Sequence, residues 1–91
     1  NDPASKERLA AIEAELADVN ETLAAMKSHW NQEKEIIDRI RAIKAEIEEA
    51  RREAEQAQRR GDLGRVAEIT YGRIAELEKK LPEENEKLAA L

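Results

Sequence analysis

From Ala4 to Arg60 the chain contains no Gly and no Pro, and its apolar residues recur every three or four positions. A run of that length and period predicts one long helix of about 55 residues, roughly 80 Å from end to end. What stops it is the stretch Arg59-Arg60-Gly61-Asp62-Leu63-Gly64-Arg65. Two cations oppose the negative end of the helix, and Gly61 can adopt a positive φ. Asp62 can then cap the free N–H groups of a following helix. A second apolar series, Leu63, Val66, Thr70, Ile74, Leu77 and Leu81, starts at once. The chain must turn back on itself, so the expected fold is all-α, an elongated antiparallel coiled coil with a hairpin tip.

The long helix carries two seams. Asp2-Pro3 reads as an N-cap and first helical residue. Leu9, Ile12, Leu16, Val19, Leu23, Met26 and Trp30 then follow at alternating spacings of three and four, the a/d repeat of a coiled coil. A second series, Ile36, Ile40, Ile43, Ile47, Ala50, Ala54 and Ala57, continues it. The joint from Trp30 to Ile36 is six residues where seven would keep the seam straight. At ~100° per residue the second stripe is rotated by roughly 100–120°, so the two halves look toward different partners.

The second stripe finds its partner beyond the tip, with small Ala50, Ala54 and Ala57 letting the returning segment approach closely. The expected boundaries within residues 1–91 are a long helix over 4–60, a tip at 61–62 and a short helix over 63–71. A returning helix over 73–91 completes the set. The break is expected at Gly72, which costs ~1 kcal/mol inside a helix. A kink or break is expected near Pro82, which cannot donate to residue 78. The first stripe has no partner in these residues. Either another helix of a longer parent covers it, or the chain self-associates through residues 9–30.

Composition narrows the function. Charged residues make up 41% of the chain and hydrophobic ones another 41%, but there is no Phe and only one Trp and one Tyr. Such side chains fill narrow seams between helices, so a deep small-molecule cavity is not expected. The net charge of −5 argues against nucleic acid as the main partner. Absence of Cys excludes disulfides and thiolate metal sites and is compatible with a cytoplasmic location. No apolar run has the length of a membrane span. The sequence opens Asn-Asp-Pro without an initiator Met, which is expected of a piece of a longer protein.

Four groups of residues carry a family resemblance: Asp2, Ala4, Ser5, Arg8 and Leu9; Trp30, Glu33 and Lys34; Gly61, Asp62, Leu63 and Arg65; and Tyr71-Gly72-Arg73-Ile74 with Glu76-Leu77-Glu78-Lys79. Together they resemble the middle domain of the bacterial ClpB disaggregases, nearly without gaps over residues 1–81. The resemblance implies a coiled-coil propeller inserted in a hexameric AAA+ ATPase. One wing pairs with a preceding helix and the other with the returning helices. It also implies that the hairpin tip docks the DnaK chaperone and that the domain holds the ring's activity down until DnaK arrives. ATP and Mg would belong to the parent ring, with no cofactor in these residues. Carried over by position, Tyr71 and Lys44 are the implied regulatory residues. The implied DnaK-facing surface comprises Gln56, Arg59, Arg60, Asp62, Leu63, Arg65 and Ala67. The chain departs from the family at Ala75, where Pro is usual, and at Pro82.

Plainer readings stand beside these. Tyr71 can be a seam residue packed on Ile43 or Ile47, and Trp30 a seam residue at the joint. His29 reads as a solvated helix residue, since one His without a ligand cluster makes no metal site. Arg59, Arg60 and Arg65 can be helix-terminal charges, or a local basic patch that meets an acidic partner. The many carboxylates lie along open helices, without a cleft to make acid–base catalysts of them. The tip glycines have neither the Lys-Ser/Thr nor the strand of a phosphate-binding loop, so ATP hydrolysis is not expected of this chain. The rival functions are a generic structural dimerisation coiled coil and a helical arm gripping RNA. The rotated joint disfavours the first and the acidic charge disfavours the second.

Overall fold

The computed structural model describes residues 2–91. Four helical elements follow in order. Helix α1 is Pro3–Arg59, α2 is Leu63–Ala67, a π-helical segment occupies Glu68–Ile74, and α3 is Ala75–Ala89. No strand occurs among the described residues, so the all-α class expected from the sequence is what is found. The chain forms two compact units, a first ending at Gln32 and a second, Glu33–Leu91.

In the first unit Asp2 opens α1. Its carboxylate accepts from the Ala4 N–H at 3.3 Å and from the Ser5 hydroxyl at 3.4 Å, and its carbonyl accepts the Lys6 N–H at 3.1 Å. Pro3 takes the first helical position, where a missing N–H costs nothing. The seven apolar residues of the first stripe are all exposed, between 49% and 64%. Nothing in the described chain covers them.

The second unit buries what the first leaves open. Ile36, Ile40, Ile47, Ala50 and Ala57 are buried on α1, with Ile43 and Ala54 half-buried between them. Across from them sit Ile69, Ile74 and Leu77, with Val66, Thr70, Leu81 and Leu88 half-buried at the edges. Ala50 and Ala57 are fully buried, which is how two backbones come close enough for Ile69 and Ile74 to pack on Ala50 and Ala54. Ion pairs across the seam fix its direction. Glu53 meets Arg73, Arg51 meets Glu78, and Arg39 meets Glu84. One partner falls in number as the other rises, so the returning segment runs antiparallel to α1.

Three expectations differ from the structure here. The chain does not break at Gly72: the π-helical segment runs straight through it. Seam positions 66, 70 and 74 are spaced four and four, and two such steps carry an α-helix ~80° past its seam. A wider turn absorbs the surplus residue and keeps both Ile69 and Ile74 inside. Of the kink or break expected near Pro82, the break is not there, since Pro82 lies within α3. Pro82 and Glu78 are both exposed, so the N–H that Pro82 lacks is missing from the solvent side of the helix and not from the seam. Tyr71 does not pack on Ile43 or Ile47, because it is 81% exposed.

Candidate functional site: the hairpin tip

The turn is a Schellman motif followed directly by an N-cap. The Asp62 N–H donates to the Ala57 carbonyl at 2.9 Å and the Gly61 N–H to the Gln58 carbonyl at 3.0 Å. Gly61 has φ 75°, the left-handed conformation this motif requires at that position, and its Cβ side is open space. Asp62 then bends the chain as an inverse γ-turn, with φ −84° and ψ 75°. Across it the Leu63 N–H donates to the Gly61 carbonyl at 3.1 Å. Its carboxylate accepts the Arg65 N–H at 3.1 Å. One residue thus closes α1 with its N–H and opens α2 with its side chain.

Charge pairs brace the turn from both sides. Arg59 lies 3.7 Å from Glu55, and Arg65 lies 3.2 Å from Glu68 and 3.9 Å from Glu53. Glu53 also receives Arg73 at 3.0 Å, so a single carboxylate ties the π-helical segment to α1. Arg60 has no ion pair among the described residues. Of the three arginines expected to form a basic patch, only Arg60 therefore presents an uncompensated charge.

Every residue expected at a functional position is exposed: Gln56, Arg59, Arg60, Asp62, Leu63, Arg65 and Ala67 at the tip, and Tyr71 and Lys44 beyond it. The first seven surround one turn. Leu63, expected in the seam, is 69% exposed and sits at the start of α2 ahead of the first seam contact at Val66. Tyr71 follows on the outer face of the π-helical segment. Lys44 stands apart, at the edge of a groove it lines with Ile47, Glu48, Arg51, Glu78 and Leu81.

Glu53 and Glu84 were not singled out by sequence reasoning. Glu84 is 8% exposed at a seam position, with both carboxylate oxygens 3.2 Å from Arg39 Nε and one 3.2 Å from Lys87 Nζ. Burial pushes its pKa up, but the hydrogen bonds and charges of Lys87 and Arg39 outweigh that and lower it overall. Glu49 is also lowered, chiefly by its hydrogen bond from Arg52, whose own pKa is raised in return. For Glu84 the signal is position relative to the tip, because counting out equally from Gly61 and Asp62 brings Arg39 opposite it; Glu53 and Arg73 lie at unequal distances from the tip, so no such count finds Glu53. No cluster of three or more metal-ligating side chains exists among the described residues. None of the described helices is long and apolar enough to cross a membrane.

Comparison with known proteins finds relatives along most of the chain. No family model matches the chain. It is 52% identical over 87 residues, 96% of its length, to the chaperone protein ClpB of Corynebacterium efficiens. It is 50% identical over 88% of its length to ClpB of Mycobacterium tuberculosis, and 46% identical over 94% to the probable ClpB 1 of Chlorobaculum tepidum. The match covers 10%, 9% and 20% of those relatives. Over most of its length the chain is thus similar to a segment of chaperone proteins named ClpB.

Proposed function

We propose that the chain is a non-catalytic regulatory coiled-coil module, the middle domain of a cytoplasmic ClpB-type disaggregase. In this reading the hairpin tip docks DnaK, and the module controls the ATPase of a hexameric AAA+ parent ring. The observation that carries the reading is what the tip leaves exposed. In a unit that tucks its Ile and Ala residues into the seam, Leu63, Tyr71 and the charge of Arg60 stay outside on a braced turn. An apolar side chain, an aromatic one and a cation on a stiff support suit a partner-binding surface. Mechanistically the module is a two-state element. It packs on the ring in one state and is held by DnaK in the other, and that difference in affinity shifts the ring toward activity. Tyr71 and Lys44 would act in the first state, Gln56, Arg59, Arg60, Asp62, Leu63, Arg65 and Ala67 in the second.

An NMR titration of isotope-labelled chain with the nucleotide-binding domain of the cognate DnaK tests this. Shifts concentrated over residues 54–71 are expected, and charge reversal at Arg59, Arg60 and Arg65 together should abolish them. If no resonance moves at high partner concentration, the generic structural coiled coil is the better reading. The exposed stripe of the first unit is the observation that favours that alternative.

A further inference from the structure

Two series of residues compete for the seam between the tip and α3. Counted back from Leu88 at alternating steps of four and three, one series runs through Glu84, Leu81, Leu77 and Ile74. It continues without a miss to Thr70, Ala67 and Leu63. The structure does not follow it that far. Ile69 is buried and Val66 half-buried, each one residue ahead of its rival, while Ala67 and Leu63 are exposed. The π-helical segment Glu68–Ile74 is where this one-residue difference is taken up.

The same offset explains how one carboxylate holds two arginines. Arg65 precedes Val66 and Arg73 precedes Ile74, so both lie on one flank and reach Glu53 at 3.9 and 3.0 Å. Eight residues apart on an unbroken α-helix they would diverge by ~80°, and Glu53 could keep only Arg73. On the facing side α1 offers Ala50, Ala54 and Ala57, a floor without large side chains to lock one phase.

We propose that residues 63–73 have a second seam register, in which the wide turn closes and the surplus residue passes into the turn at 60–62. The segment then rotates by ~100°. Leu63, Ala67 and Thr70 line the seam in place of Val66 and Ile69. Arg65 leaves Glu53, and Tyr71 swings from the outer face to the flank of the seam opposite Arg73. The observed register is the more stable one, because the other sets the hydroxyl of Thr70 where Ile69 now packs. A partner that grips Leu63 and Ala67 binds only the observed register, so contact at the tip and the position of Tyr71 are coupled. This does not rest on the chaperone reading.

The chain has no Cys, so thiol labelling of Val66→Cys and Ala67→Cys variants reads the register one position at a time. In an otherwise unaltered chain Ala67→Cys should label at nearly the rate of a free thiol and Val66→Cys more slowly. Ile69→Thr with Thr70→Ile keeps the composition and moves the larger side chain into the other phase. The order of reactivity should then invert, with Ala67→Cys slowed roughly ten-fold and the helical circular dichroism retained. Leu63→Lys should leave the melt of the unaltered chain unmoved and lower that of the exchanged one by several degrees, since only there is residue 63 inside. An exchanged chain that stays helical with the order of reactivity unchanged overturns the proposal. So does one whose tip segment melts, with both thiols labelling at the free rate, because a chain with a second register would have packed in it.

Discussion

Ile69 is the largest fully buried side chain among the described residues, at 2% exposure, and it sits in the π-helical segment that a plain heptad would not contain. Replacing it with Ala removes three carbons from the contact with Ala50 and Ile74. At ~0.8 kcal/mol per buried methylene the transfer loss is about 2.4 kcal/mol, and a partly collapsed cavity brings the total to ~3 kcal/mol. For a unit of this size each kcal/mol moves the midpoint by ~4–8 °C, so a fall of ~12–24 °C is expected. Thermal melts followed by circular dichroism at 222 nm read it directly. They must be run at one low protein concentration, because association through the first stripe would otherwise enter the transition. Leu63→Ala, at an exposed site, serves as the control and should stay within ~0.5 kcal/mol. If Ile69→Ala costs less than ~1 kcal/mol, residue 69 lies outside the seam. The wide turn would then be absent and the regular heptad register correct.

Four further outcomes follow from the geometry. Deleting Gly72 removes the surplus residue, lets the segment close into an α-helix and should leave stability within ~1 kcal/mol by denaturant titration; a Cβ at that site would meet nothing, so no packing is lost. Asp62→Ala removes the cap on Arg65 N–H and should cost about 1 kcal/mol in the same assay. Glu84 has a lowered folded pKa, so its contribution is complete above the unfolded value of ~4.3 and is lost as pH falls through the folded one. Melts across that range should show Glu84→Gln with a shallower acid decline than the unaltered chain. At the tip, if the proposed docking holds, Arg60→Glu alone should do most of what reversing Arg59, Arg60 and Arg65 together does to it, since the other two are already paired with carboxylates.

The hairpin was legible because each device at the turn has a residue type that serves it. Gly61 supplies the positive φ, Asp62 the cap and the preceding arginines the helix end. The second seam was legible for the same kind of reason, with Ala where backbones approach and Ile where they diverge. The π-helical segment was not read, although its mark is present as two successive spacings of four at Val66, Thr70 and Ile74. Gly72 drew attention to itself as a breaker, while the rotational surplus was the quantity that mattered. Tyr71 and Leu63 were misplaced as seam residues for related reasons, one carried outward by the wide turn and the other lying ahead of it. Glu84 occupies a seam position between Leu81 and Leu88, where an apolar residue belongs. Only the cross-seam register shows that Arg39 is there to receive it.

The two units differ in how their apolar surface is dealt with, and that difference bears on function. In Glu33–Leu91 the chain supplies both sides of its own seam, with Arg39–Glu84, Arg51–Glu78 and Arg73–Glu53 holding the register. A unit that already buries both sides of its seam presents Arg60, Leu63 and Tyr71 at the tip with little further ordering to be done on binding. The stripe over residues 9–30 is the reverse case. An isolated helix of that length is marginal in water, and seven exposed apolar side chains gain nothing until another helix covers them. Its helicity should therefore depend on its partner, whereas that of the second unit should not. Amide exchange separates the two. Protection over residues 9–30 should rise with protein concentration or with an added partner helix, while protection over 36–81 stays constant. Equal protection of both stretches at the lowest concentration would show that the first stripe needs no cover.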